Sequence, residues 1–199
     1  MAITYQFNRV EIQSLRRQLK VRQVALPTLK SKESVLRAAV VKQKDLIEHL
    51  QLDYDKARAE LETTIRLWPE FPPDILSIGN VKTRVSKIAG IQVPELESIE
   101  WNARDFSRFN KPIWLPIGVR QLRELGRVSA LIAIAKTVIH VLEQARRKTT
   151  QKVNLYEKVQ IPGFNEAILR IKRYLEDVEN LEKAAQKLTK ERLAAGGGS

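Results

Sequence analysis

Few residues in this chain of 199 could carry out chemistry, and none has the spacing that a catalytic or metal site needs. A phosphate-binding loop requires glycine amides followed by Lys and then Ser or Thr; Gly79-Asn80-Val81-Lys82 comes nearest and lacks that ending. Asp53-Tyr54-Asp55 begins like a calcium-binding loop, but no glycine follows at the sixth position. We therefore expect no cofactor and no metal, and we predict that the chain is not an enzyme.

Histidine and cysteine, the other common metal ligands, also give no sign of a metal or catalytic site. His49 and His140 lie far apart on amphipathic segments, which is typical of packed or surface histidines. The chain has no cysteine, so neither a disulfide nor a thiolate metal site is possible. The first twenty residues are polar, unlike a signal peptide, and the most apolar run, Ser129 to Leu142, is shorter than the ~20 residues of a membrane span. We expect a cytoplasmic protein without direct membrane insertion.

Apolar residues recur every 3.5 positions through the first third of the chain, which predicts a long helix with a partner along its whole length. From Asn8 to Trp68 such a helix would extend roughly 90 Å at 1.5 Å per residue. The heptad d positions start at Leu15 and include Arg22 and Leu36. The a positions are Ile12, Leu19, Leu26, Glu33, Val40, Ile47, Tyr54, Leu61 and Trp68.

A second seam near the C-terminus supplies the partner. It repeats at alternating steps of three and four residues: Phe164, Ala167, Ile171, Tyr174, Val178, Leu181, Ala185 and Leu188. Two seams at opposite ends of one chain most simply fold back on each other. The predicted fold class is mainly α, a long antiparallel two-helix coiled coil formed by the N- and C-terminal arms, with a small central β-hairpin module.

Prolines and β-branched residues mark that central module. Pro69, Pro72 and Pro73 cannot continue a helix, and alternating residues predict strands near 80 to 91 and 93 to 101. An irregular return then passes Asn110, Pro112 and Pro116, and the second arm starts near Val119. The predicted organisation is an N-terminal coiled-coil arm at 1–68, the hairpin module at 69–118, a C-terminal coiled-coil arm at 119–195 and a flexible tail at 196–199.

The net charge of +12 is carried by the two arms. A basic helical pair could bind nucleic acid, but the aromatic residues that usually interleave with such basic runs are missing. Basic runs are also typical of a solvated helix face or of a shaft inside an acidic protein sleeve. We take the sleeve contacts to be Lys20, Arg22, Lys187 and Lys190, and we expect single charge reversals there to have small effects.

Two prolines interrupt the arms at one predicted height. An antiparallel register with Trp68 opposite Val119 places Pro27 opposite residue 160, close to Pro162. Each proline removes one helical hydrogen bond. The seam of the second arm also slips by one residue, which we place at Pro162-Gly163. We predict a localised bend or change of supercoil at this level.

Three segments stand out in the sequence: Leu29 to Lys32, Ile88 to Glu97 and Val153 to Pro162. Together they resemble the D subunit of the V-type and A-type rotary ATPases. Leu29-Lys30-Ser31-Lys32 is similar to an element of that family's first helix. The segment from Ile88 to Glu97, with Gly90, Ile91, Val93 and Pro94, resembles its central motif. The segment from Val153 to Pro162, with Val153, Asn154, Glu157, Ile161 and Pro162, resembles the string in its C-terminal arm. Pro27 departs from the family, where this helix ordinarily continues uninterrupted.

The resemblance implies a central rotor shaft that transmits torque between ATP chemistry and movement of H⁺ or Na⁺. The implied partners are a hexamer of alternating catalytic and non-catalytic A and B subunits, a small stalk protein called F, and a socket protein, called C or d, above the membrane ring. The segment from Ser129 to Leu142 contains more apolar residues than a single seam buries; the additional ones are Ile132, Ile134, Ile139 and Val141. They are expected either to bind the small stalk protein or to be covered by the chain's own central module.

Two other functions fit the pattern less fully. An antiparallel coiled coil could act as a scaffold or tether, and a basic helical protein could bind nucleic acid. Two observations count against both: the central module has no net charge, and three segments resemble the D subunit family. The direction of the reaction, the transported ion and the origin of the Gly-Gly-Gly-Ser end are not determined by this sequence.

Overall fold

The computed structural model describes residues 4–72, 74–104 and 112–196, with side chains as far as residue 193. It confirms the predicted mainly helical fold with a small two-stranded antiparallel sheet between two long arms. In chain order the elements are helix α1 (Arg9–Thr63), a 3₁₀-helix (Ile65–Glu70), strands β1 (Leu76–Ile88) and β2 (Ile91–Ala103), helix α2 (Leu115–Asn154), a π-helical segment (Leu155–Gln160) and helix α3 (Ile161–Gly196).

Helix α1 begins at a side-chain cap. The Oδ1 atom of Asn8 accepts a hydrogen bond from the backbone N–H of Glu11 at 2.6 Å, which satisfies one of the free amides of the first turn. The helix continues through Pro27, because this proline lies on the exposed side, where water can solvate the carbonyl it leaves unpaired. It ends at Thr63, before the proline-rich segment that was predicted to stop it.

The heptad pattern of α1 describes its burial closely. Every a and d position from Ile12 to Trp68 is buried or half-buried, whereas most other positions are exposed. The polar d residues Arg22 and Gln43 follow the same rule. The period of 3.5 therefore identifies one continuous buried stripe, which is the property that requires a partner helix.

The chain forms two compact units. The first contains residues 1–31 and 149–199, where α1 and α3 pack side by side. Tyr5, Leu19 and Leu175 pack around its core. The buried members of that core are Ile12, Leu15, Phe164, Ala167, Ile168 and Ile171.

The second unit contains residues 32–148, where α1, α2 and the hairpin share one core. The buried residues are Leu36 and Val40 of α1, Val138 and Leu142 of α2, and Val93 of β2. The hairpin thus packs its turn end on the paired helices. Near its base, a Cβ on Gly126 would lie 2.6 Å from the indole ring of Trp101, so glycine permits the close approach of α2 to β2.

The hairpin is confirmed, but its bounds differ from the prediction. The turn lies at Ala89-Gly90, with φ angles of 51° and 77°. Strand β1 therefore ends three residues and β2 begins two residues earlier than predicted, and both strands extend further at their other ends. Positive φ at both central residues matches the right-handed twist of the flanking strands. Pro94 is accommodated because both strands of a two-stranded sheet have a free edge.

The second arm begins at Leu115 rather than near Val119. Pro116 was read as part of an irregular return, but proline is tolerated in the first helical turn, where its missing N–H has no partner anyway. Asn110 of that return lies outside the described residues, as do residues 197–199 of the predicted tail. The helical stretch Leu115–Leu193 includes a window of mean hydropathy 1.6, long and apolar enough by those two criteria to cross a membrane. Core helices of water-soluble proteins meet the same criteria.

Burial in the second unit gives a stability prediction. Leu142 is fully buried, so Leu142→Ala should lower the free energy of unfolding by about 2 to 5 kcal/mol through lost transfer energy and a cavity. Leu52 in the same unit is 58% exposed, and Leu52→Ala should change it by less than about 0.5 kcal/mol. Urea denaturation followed by circular dichroism measures both. Equal losses in the two variants would contradict the assignment of this core.

Candidate functional site

The segment from Val153 to Pro162 forms the one irregular turn within the described part of the second arm. Residues Leu155–Gln160 are π-helical, and the backbone N–H of Ile161 donates to the carbonyl of Tyr156 five residues earlier. Pro162, the residue after Ile161, has no N–H, so the α-helical hydrogen bond to the carbonyl of Lys158 cannot form. A π-turn accommodates one extra residue and occurs often at functional positions.

The buried seam of the second arm slips by one residue, as predicted. Upstream, the buried or half-buried positions include Val138, Leu142 and Thr149; downstream they include Phe164 and Ala167, one residue later than a continuous heptad would place them. The slip has the predicted size, but Val153 is already buried and Lys152 exposed, so it lies before Val153 and not at Pro162-Gly163. The bend that we associated with it stays a prediction.

Arg22 of α1 faces this turn instead of pointing outward. Its Nε atom donates to Oε1 of Gln160 at 2.5 Å, and its Nη1 atom donates to the carbonyl of Gln18 at 3.0 Å. Its guanidinium carbon lies 4.7 Å from the ring centre of Phe164 and 5.8 Å from that of Tyr156. Such cation–π contacts contribute roughly 0.5 to 2 kcal/mol each. The partly buried guanidinium of Arg22 thus has two hydrogen-bond acceptors and two aromatic rings as partners within the first unit.

A second contact joins two of the segments singled out in the sequence. The Nζ atom of Lys30 lies 2.6 Å from Oε1 of Glu157, so the Leu29-Lys30 element of α1 meets the C-terminal motif directly. Both side chains are nearly half exposed, so the pair contributes no more than about 1 kcal/mol. Its position in the register agrees with the predicted antiparallel alignment. In the second unit, the pair Lys44 and Glu143 fits that same alignment.

An open groove of about 850 Å³ lies beside the turn. It is lined in part by Val21 and Val24, which are 65% and 68% exposed because they lie outside the heptad seam. Its rim carries three cations, and no carboxylate lines it among the described residues. The lining residues are Arg17, Lys20, Val21, Val24, Ala25, Thr28, Leu29, Lys152 and Tyr156.

The four residues predicted to exceed the seam of α2 are all half-buried, and the structure divides them. Ile134 and Val141 pack against the core that contains Val93 of the hairpin. Both residues thus pack within the second unit, and the choice between the two alternatives stays a prediction. Ile132 and Ile139 are not among the residues of that core.

The hairpin motif residues are structural. Gly90 supplies the turn with positive φ, Ile91 and Val93 contribute to the core of the second unit, and Pro94 pairs with Val85. The Nε atom of Arg84 donates to Oε2 of Glu95 at 3.0 Å, and this hydrogen bond holds the pKa of Glu95 below its ordinary value.

Three of the four predicted sleeve residues are exposed, and the fourth, Arg22, faces the second arm. Lys20 lies on the groove rim, and Lys187 and Lys190 are exposed on the last turns of α3, where Leu181 is 71% exposed. Arg22 is the exception because its partners are Gln160 and Phe164. A charged residue at a d position opposite the irregular motif was the sequence signal for this inward role.

An aromatic cluster in the second unit was also missed. The ring of Trp114 lies 5.5 Å from that of Trp68 and 6.1 Å from that of Phe71. Ile113 beside it is 96% exposed, and Ile65 is exposed as well. Aromatic residues on both sides of the proline-rich segment were the available signal. Exposed apolar clusters of this kind are typical of partner surfaces.

The described residues contain no group of three or more His, Asp or Glu side chains placed to hold a metal ion. His49 and His140 are both exposed. The site therefore consists of packing surfaces, charges and one irregular turn.

Comparison with known proteins identifies sequence relatives along nearly the whole chain. The family described as the D subunit of ATP synthase matches residues 11–191. The V-type ATP synthase D subunit of Borreliella burgdorferi is 32% identical over 180 residues, 88% of each chain. The proteins of the same name from Chlamydia pneumoniae and Chlamydia muridarum are 28% and 25% identical, over 86% and 84% of this chain and 84% and 85% of theirs.

Proposed function

This chain belongs to the family of ATP synthase D subunits, and we propose that it is the central-stalk rotor shaft of a V-type ATP synthase. In this role it transmits torque between the nucleotide-binding hexamer and the ion-translocating ring and catalyses no step itself. The observation that carries the proposal is the helix α1, whose 55 residues are shielded at every a and d position. A long helix supported along one side resists bending and twisting, as a torque-bearing element must.

The surfaces of the chain support three partner assignments. We assign the basic, exposed parts of the arms, including Lys20, Lys187 and Lys190, to the hexamer of A and B subunits. The aromatic cluster with Ile65 and Ile113 is assigned to the socket protein above the membrane ring. The small stalk protein is assigned to the flank of α2 that contains Ile132 and Ile139. We place the protein on the cytoplasmic side, peripheral to the membrane.

A cross-linking experiment separates a rotor from a static scaffold or tether. The chain has no cysteine, so Leu181→Cys introduces a single thiol at an exposed position of α3. Disulfide cross-linking of this thiol to a cysteine placed on the hexamer should stop ATP hydrolysis by the assembled complex, and reduction should restore it. The same variant without cross-linking is the control. Full turnover in the cross-linked complex would refute rotation.

The assignment of the small stalk protein predicts a specific loss of binding. Ile132→Asp together with Ile139→Asp places two charges on an apolar flank, which should weaken binding of the small stalk protein by at least about 100-fold, given roughly 25 cal/mol per Å² of apolar area. Thr137→Asp, at an exposed position of the same helix, is the control. Pull-down with the small stalk protein measures the change, with circular dichroism to verify folding. Unchanged binding by the folded double variant would exclude this flank.

The sleeve assignment predicts weak single contacts. A rotating shaft must avoid deep minima at any one angle, and exposed ionic contacts contribute only ~0 to 1 kcal/mol each. Lys20→Glu, Lys187→Glu and Lys190→Glu should therefore each change ATP turnover by less than about fivefold. Arg22 is left out of this prediction because its guanidinium contacts Gln160 and Phe164 within the first unit. Loss of turnover from any of the three lysine variants would argue for a specific contact with the hexamer.

A further inference from the structure

The groove of about 850 Å³ beside the π-turn presents an apolar strip to solvent. Val21 and Val24 lie three residues apart on one flank of α1 and are 65% and 68% exposed. Ala25 and Leu29 extend the strip and are half-buried. Exposed valines add neither core packing nor helix propensity to α1, since β-branched residues are restricted in a helix. The strip therefore offers apolar area to a partner.

The charges around this strip have one sign. Arg17, Lys20 and Lys152 line the groove, and its lining includes no acidic residue in the part of the chain that the structure describes. Lys30, one residue beyond the groove, is neutralised by Glu157. The three cations of the groove form no such ion pair with any described residue. Uncompensated positive charge beside an apolar strip favours a partner that carries carboxylates.

The shape of the groove favours a helix as that partner. Its lining on α1 extends from Arg17 to Leu29, about 18 Å at 1.5 Å per residue, and Lys152 and Tyr156 line it from the second arm. The backbone groups of both arms are engaged in helical hydrogen bonds, so they offer no partners to an extended peptide. Such a peptide would leave its own N–H and C=O groups unpaired over the valines. A helix satisfies its backbone internally and can lay an apolar stripe into the groove.

We propose that the groove binds an acidic amphipathic helix of about 12 residues that belongs to the A or B subunits of the hexamer. The choice of the hexamer rests on the proposed function, which assigns Lys20 to that partner. Apolar side chains of the helix pack on Val21 and Val24, and its carboxylates face Arg17, Lys20 and Lys152. Each exposed ionic contact is weak, so Lys20→Glu alone has the small effect predicted above. The apolar strip and the three cations act together.

Photo-cross-linking in the assembled complex identifies the occupant. The chain has no cysteine, so Thr28→Cys introduces one thiol at an exposed lining position, to which a benzophenone maleimide is attached. The labelled full-length chain is assembled with the A and B subunits and the small stalk protein, illuminated and analysed by mass spectrometry. We expect an A or B segment rich in carboxylates, with apolar residues every three or four positions. Val41→Cys, 53% exposed on α1 but outside the groove, should not capture this segment.

Charge reversal tests the recognition itself. Arg17→Glu, Lys20→Glu and Lys152→Glu together should lower the yield of the cross-link at position 28 by about tenfold. The control combines Lys42→Glu, Arg66→Glu and Lys87→Glu, which change the net charge equally at exposed positions of the second unit. This control should leave the yield unchanged. Circular dichroism verifies that both triple variants fold.

Several results would overturn the proposal. These are a peptide from the small stalk protein, a hexamer segment that is basic or lacks the helical period, and an absence of cross-linking at position 28 in an assembled complex. Equal loss of yield in both triple variants would also overturn it, because net charge and not the groove would then attract the partner. Each of these results in a complex that hydrolyses ATP would leave the rotor proposal standing. Failure of the chain to assemble with the A and B subunits would overturn both proposals.

Discussion

The whole structure depends on burying the apolar stripe of α1. A single helix exposes such a stripe to water, at a cost of roughly 25 cal/mol per Å² of apolar area. The chain covers the stripe by returning antiparallel, with α3 in the first unit and α2 in the second. Leu15 and Ile171 in one core, and Leu36 and Leu142 in the other, are almost entirely removed from solvent. The central hairpin is possible because the arms bring its ends together.

The second arm has to satisfy a partner with a different pattern. The stripe of α1 keeps a period of 3.5 through Pro27, whereas the buried seam of the return arm shifts by one residue between Thr149 and Val153. The π-turn at Leu155–Gln160 follows, just before Pro162, which removes one helical hydrogen bond. Arg22 and Lys30 contact this turn through Gln160 and Glu157. Two segments that are remote in sequence thus form one structural feature.

The hairpin changes the interpretation of the apolar face of α2. Ile134 and Val141 looked like a partner surface in sequence because one helix pair does not need them. In the second unit they pack against the core that contains Val93, Val138 and Leu142. Among the described residues, the open apolar surfaces include the groove beside the π-turn and the aromatic cluster around Trp114, and the half-buried flank of Ile132 and Ile139 lies outside the core of Val93. A subunit of a larger assembly would present surfaces of this kind.

The sequence by itself determined the helical arms, the buried positions of α1, the hairpin and the one-residue slip. These follow from local rules, since periodicity decides which face is apolar and prolines decide where a regular helix fails. It misplaced the hairpin turn and the start of α2, because a positive φ at Ala89 and a proline in a first turn depend on backbone geometry that composition does not specify. Only the tertiary structure decided that Arg22 contacts Gln160, that Lys30 meets Glu157, and that Val93 of the hairpin joins the core against which Ile134 and Val141 pack. Each of these joins residues far apart in the chain, and the side that a half-exposed side chain faces is set by the segment packed against it.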